Sequence, residues 1–114
     1  LLALAASVAM TALGKQGVQE MAKQNIVKTR YAKNAFEAAG FTVVFQGAHF
    51  NEIVVKTNTS VTEINKGLLQ KGIIGGFDLG RVYPELENHA LIAVTELRTK
   101  EEIDALVAEM GALQ

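Results

Sequence analysis

The sequence predicts one small α/β domain, of the two-layer α+β kind, in which helices cover one face of a roughly four-stranded, mostly antiparallel sheet. Three observations carry this. Residues 1–13 are rich in Ala and Leu, and residues 15–39 repeat apolar side chains at three- and four-residue steps. Two β-branched and aromatic segments flank Gly47-Ala-His-Phe50, and Ser/Thr-x-x-Glu spacings at Ser60 and Thr99 each precede an apolar helical run. A chain of 114 residues, 49% of them hydrophobic, is long enough for a single core.

The elements follow in order. Leu1 to Leu13 is built from strong helix formers and ends at Gly14, where glycine can take the left-handed conformation that closes a helix. From Lys15 to Ala39, Val18, Met21, Ala22, Ile26, Ala32, Ala35, Phe36 and Ala39 recur with helical spacing, leaving Lys23, Lys28, Lys33 and Glu37 for another face; Gly40 stops this second helix. Phe41–Gln46 and Asn51–Lys56 read as two antiparallel strands. Ser60 and Glu63 stand in capping-box spacing ahead of a helix that runs through Val61, Ile64, Leu68 and Leu69 to Gly72. Ile73 and Ile74 suggest a brief strand, residues 75–89 a long loop without period, and Ala90–Thr95 an apolar strand. Thr99 with Glu102 repeats the capping box before Ile103, Leu106, Val107 and Met110. The expected order is α, α, β, β, α, β, β, α.

Composition narrows the chemistry. Eleven basic residues against twelve acidic ones, a net charge of −1 and no basic cluster give nucleic acid or anionic lipid nothing to grip. No cysteine means no disulfide and no thiolate metal site, and His49 and His89 alone do not make a metal centre. A reducing cytosol fits, so a cytoplasmic setting is expected. Leu1 stands where a Met is usual and opens an uncapped apolar run, which reads as a chain cut from a longer one; the run is neither a signal peptide nor a membrane span.

The densest candidate for function is Gly72-Ile-Ile-Gly-Gly-Phe-Asp-Leu-Gly80, because glycines let a backbone approach a ligand closely. It has neither the Lys-Ser/Thr ending of a P-loop nor the G-x-G-x-x-G order, and a purely structural turn is the competing reading. Gly75 and Gly76 are its cleft-facing candidates. Arg81, beside Tyr83, adds a guanidinium able to hold a carboxylate or phosphate with two parallel bonds, against the plainer reading of an exposed or interface salt bridge. Asp78, Glu85 and Glu87 read as solvated acids, His49 and His89 as packing or capping residues, and Asn51 as a turn residue. No catalytic residue, cofactor-binding residue or metal ligand is assigned.

The stretches Phe50–Lys56, Gly67–His89 and Val94–Asp104, together with Leu1–Ser7 and Gly14–Gly17, resemble the C-terminal domain of subunit 1 of glycine dehydrogenase (decarboxylating), the alpha half of the split glycine cleavage P-protein. The resemblance spans nearly the whole chain and is most specific from Gly72 to His89. It implies the small C-terminal domain of a fold type I pyridoxal-phosphate enzyme. Residues 1–39 would be two connecting helices and residues 40–114 a ββαββα unit covering the active-site cleft. It further implies glycine decarboxylation with aminomethyl transfer to a lipoylated carrier protein, a hetero-oligomer with subunit 2, and a Schiff-base lysine that lies in subunit 2. The lysines here fall on predicted helices or their ends, with Lys56 at a strand end, so the isolated chain is expected to bind no cofactor and to be inactive. A stand-alone ferredoxin-like effector-binding module is the alternative. Its large exposed Leu and Val side chains also make helix one a candidate for self-association.

Overall fold

A computed structural model describes residues 1–114. The elements are α1 (Leu2–Ala38), β1 (Thr42–Val43), β2 (Glu52–Lys56), α2 (Val61–Gln70), β3 (Phe77–Asp78), β4 (His89–Ala93) and α3 (Lys100–Ala112), with single 3-10 turns at Leu79–Arg81 and Pro84–Leu86. The sheet order is β1-β2-β4-β3, and every neighbouring pair is antiparallel. No helix is long and apolar enough to cross a membrane.

The two expected N-terminal helices are one helical element broken at Gly14, whose φ of 70° and ψ of 176° lie in a region essentially reserved for glycine. Residues 2–13 form an exposed arm beyond that break. At its other end α1 closes with a Schellman motif: Phe41 N–H donates to the Phe36 carbonyl and Gly40 N–H to the Glu37 carbonyl, with Gly40 at φ 89°. The hydrophobic contact that accompanies this motif is an edge-to-face pair, Phe36 against Phe41, with centroids 5.3 Å apart.

The same device corrects the expected strand at Ile73 and Ile74. Ile73 N–H donates to the Leu68 carbonyl and Gly72 N–H to the Leu69 carbonyl, with Gly72 at φ 74°, so Ile73 is spent in closing α2 and Ile74 is left 90% exposed. The strand lies three residues on, at Phe77 and Asp78, opposite Leu91 and Ala90. Likewise the first predicted strand shortens to Thr42–Val43, because Phe41 belongs to the α1 cap and the Gln46 side chain donates to the Val43 carbonyl. One backbone bond, Val44 N–H to the Val54 carbonyl, carries the pairing a residue further.

All three helices pack on one sheet face. Val43, Ile53, Val55, Ala90, Ile92 and Val94 point inward at alternate positions and meet Ala32 and Phe36 of α1, Val61, Ile64 and Leu68 of α2, and Ile103, Val107 and Met110 of α3. The registered row Val54, Leu91 and Phe77 lies on the opposite face. The α1 stripe also contains Asn25 and Thr29, both buried, which the apolar pattern does not mark. Asn25 Nδ2 donates to Glu96 Oε2 at 3.2 Å, Lys28 Nζ donates to the Glu96 carbonyl and Thr29 Oγ1 to the Val94 carbonyl, so these polar groups tie α1 to the segment after β4. Tyr31 Oη donates to Asp104 Oδ1 at 2.5 Å and Lys100 Nζ to Asp104 Oδ2 at 2.8 Å, joining α1 to α3. The Lys100 bond, and then that from Tyr31, holds the Asp104 carboxyl below its ordinary range. Lys100 is held above its own, chiefly by Asp104; water screens this surface cluster.

The two capping boxes turn out differently. At α3 both bonds form: Thr99 Oγ1 accepts from Glu102 N–H at 3.1 Å, and Glu102 Oε2 accepts from Thr99 N–H at 2.9 Å. At α2 Ser60 occupies the cap position but its hydroxyl makes no capping bond, and Glu63 pairs with Lys66 at 2.7 Å instead. Thr99→Ala is therefore expected to cost about 1 kcal/mol. Ser60→Ala should stay within about 0.5 kcal/mol. Urea titration of the two variants checks the contrast, and equal losses would contradict it.

Candidate functional site

The segment 72–89, singled out in the sequence, borders two separate depressions. The first, about 340 Å³, is polar and is lined by Ser60, Val61, Asp78, Gly80, Arg81, Pro84, Glu87 and Asn88. The second, about 720 Å³, is an apolar groove. The run Gly72–Phe77 forms one wall, Leu91–Ala93 of β4 with Val94 just after it the floor, and Ile103 and Leu106 of α3 stand opposite. Gly75 and Gly76 line the groove and Arg81 lines the polar depression, so the three candidates are not brought into one site.

What the glycines do is visible from what a side chain would meet. A Cβ at Gly75 would stand 2.1 Å from Asn65 Oδ1 and 2.8 Å from Leu68 Cδ1; one at Gly76 would stand 2.6 Å from Ile92 Cδ1 and 2.7 Å from the Leu91 carbonyl oxygen. Neither is a positive-φ position. Both are needed because the segment is pressed between α2 and β4, and Asn65 Nδ2, donating to the Gly76 carbonyl at 2.8 Å, holds it there. Asn65 was not marked by the sequence, since a lone polar residue at the edge of an apolar helix face gives no signal.

Arg81 is exposed and is absent from the ion pairs of the domain, which join Glu63 to Lys66, Arg98 to Glu102 and Lys100 to Asp104. The expected alternative, a surface salt bridge within this chain, is thus not formed. Asp78, expected to be a solvated acid, is engaged: Oδ1 accepts from Gly80 N–H at 3.1 Å and Oδ2 from Thr62 Oγ1 at 2.9 Å. It caps the 3-10 turn that presents Arg81. Asn88 takes φ 58°, a conformation asparagine tolerates, and its carbonyl accepts from Thr57 N–H at 2.8 Å, fixing the entry to β4. The histidines make local contacts, with Nδ1 of His89 2.7 Å from the Glu87 carbonyl and Nδ1 of His49 3.2 Å from that of Gly47. No group of three His, Asp or Glu residues is placed to hold a metal ion. The polar depression and the groove contain no lysine, so the residues here do not fit a cofactor that binds as an imine.

The arrangement is that of a helix-backed α/β domain with an exposed, unpaired Arg81 beside a polar depression and a separate apolar groove. The family model for the glycine cleavage system P-protein matches residues 1–110. The chain belongs to the glycine cleavage system P-protein family. It is 83% identical over 113 residues to the protein named Probable glycine dehydrogenase (decarboxylating) subunit 1 of Lysinibacillus sphaericus (strain C3-41). It is 71% identical over 112 residues to the protein of the same name in Bacillus thuringiensis (strain Al Hakam). These alignments cover 99% and 98% of this chain but 25% of each relative, so the chain spans about a quarter of their length. The fold matches a crystal structure of glycine decarboxylase (P-protein) of the glycine cleavage system in inhibitor-bound form. The TM-score is 0.80 at 23% identity, over 92% of this chain and 24% of that one.

If Gly76 serves packing, Gly76→Ala should destabilise the domain by about 1–3 kcal/mol, because a backbone oxygen cannot yield. Gly47→Ala, where a Cβ meets nothing within 4 Å, should change stability by less than about 0.5 kcal/mol. Thermal or urea unfolding of both decides it; a neutral Gly76→Ala would return that glycine to the list of ligand-facing residues.

Proposed function

We propose that residues 1–114 are the C-terminal small domain of a glycine dehydrogenase (decarboxylating) subunit 1, of the fold type I pyridoxal-phosphate class, and that they help form the cleft in which glycine is decarboxylated. The observation that supports this best is the near-complete match to subunits four times as long, combined with a surface that has binding groups but no reacting ones. Pyridoxal phosphate supplies the electron sink for decarboxylation, which no side chain of this domain replaces. Its lysine belongs to subunit 2 in this reading, and the aminomethyl group passes to a lipoylated carrier in a reducing cytosol. The domain's share is to cover the cleft and limit water, with Arg81 as the group that meets an anion.

The test is exchange of labelled bicarbonate into glycine by the full-length subunit assembled with subunit 2, cofactor and lipoylated carrier. Exchange is expected from the assembly and none from the 114-residue chain alone. Arg81→Ala should lower kcat/KM by about tenfold, the loss of one charge-assisted contact. No exchange from the assembly would sink the reading, and an unchanged Arg81→Ala would remove Arg81 from the cleft.

A further inference from the structure

The exposed arm of α1 is the most unusual surface of the domain. Residues 1–14 carry no charged side chain. Leu1, Leu2, Leu4, Val8, Met10 and Leu13 are between 47% and 101% exposed, although large apolar groups are normally the first to be covered. At about 100° per residue these six side chains cover about 240° of the helix circumference. A helix that docks one face on a partner needs only a stripe of about 100°, whereas one apolar on nearly all sides is built to be surrounded. The remaining sector holds Ala3, Ser7 and Thr11, and Thr11 Oγ1 donates back to the Ser7 carbonyl at 2.7 Å, which satisfies its proton without water.

We infer that residues 1–13 are a peg buried on nearly every side inside the rest of the full-length subunit. The inference rests on the family reading above, and it names the surface through which the domain joins the remainder of its own chain. A second copy of this domain would cover one side and leave the other wet. A bilayer fits no better: the arm is about 20 Å long at 1.5 Å per residue, against about 30 Å of hydrocarbon, and it has no basic residue to meet anionic headgroups. The three quarters of each relative that this chain does not span supply enough mass to enclose it.

Leu2 and Leu4 lie about 200° apart on the helix, so they report on opposite sides of the peg. Leu2→Cys and Leu4→Cys, introduced singly into the full-length subunit with any native thiols replaced, should both react with a water-soluble thiol reagent about 100-fold more slowly than in the 114-residue chain. In the unaltered subunit the amides of residues 5–13 should show matching protection from hydrogen exchange, which keeps the test valid if a cysteine variant folds poorly. Fast labelling at both sites, or slow labelling at one side only, overturns the inference. So does protection in the 114-residue chain that grows with its concentration to equal that in the subunit, since a second copy would then suffice. The outcome is independent of catalysis: a protected peg in a subunit that exchanges no bicarbonate would reject the function and keep the peg, and a free arm in an active subunit would do the reverse.

Discussion

The fold hangs on the seating of the end of α1 against the start of the sheet. Phe36, with no exposed surface, meets Phe41 edge to face across the Gly40 turn, and Phe41 is followed at once by β1. That turn decides the pairing of Thr42 with Lys56 and Val43 with Val55. A slip of one residue in β1 would send Val43 outward, so this aromatic contact and one left-handed glycine set the sidedness of the first strand, while the five-residue pairing of β2 with β4 keeps Ile53 and Val55 inward. The polar ties of Asn25, Lys28 and Thr29 then hold the segment after β4 against the same helix, and α3 closes the core over it.

With the inner face satisfied, what is left over describes the domain's purpose. Gly75 and Gly76 are absorbed by the fold, and Asp78 is absorbed by the turn it caps. Arg81 makes no ion pair within the domain, and it is presented by that same turn.

The helices and the two long strands were legible because their signals are local: spacing at 3.6 residues, β-branched runs, and glycines just past helix ends. Ile73 and Ile74 misled because an apolar pair after a glycine is equally the mark of a Schellman closure, and only the tertiary position of Leu68 decides between them. Asn25 and Thr29 were invisible as core residues because their burial depends on Glu96 and Val94, about 70 residues away in sequence. The Ser60 and Thr99 spacings are identical in sequence, yet Glu63 has Lys66 within reach while Glu102 folds back to its own cap. For the site, the glycine cluster marks close backbone packing, and at Gly75 and Gly76 the neighbours are Asn65 and Leu91 of the domain itself.

The core is drawn from residues 15–114, and no residue of the arm belongs to it or packs against it. Deleting residues 1–13 from the 114-residue chain and measuring its unfolding in urea tests this directly. The account predicts a free energy unchanged within about 0.5 kcal/mol, since an arm that touches no core residue has nothing to lose and a short isolated helix is marginal in water. A loss of several kcal/mol would show that the arm packs within the domain, and would contradict the account.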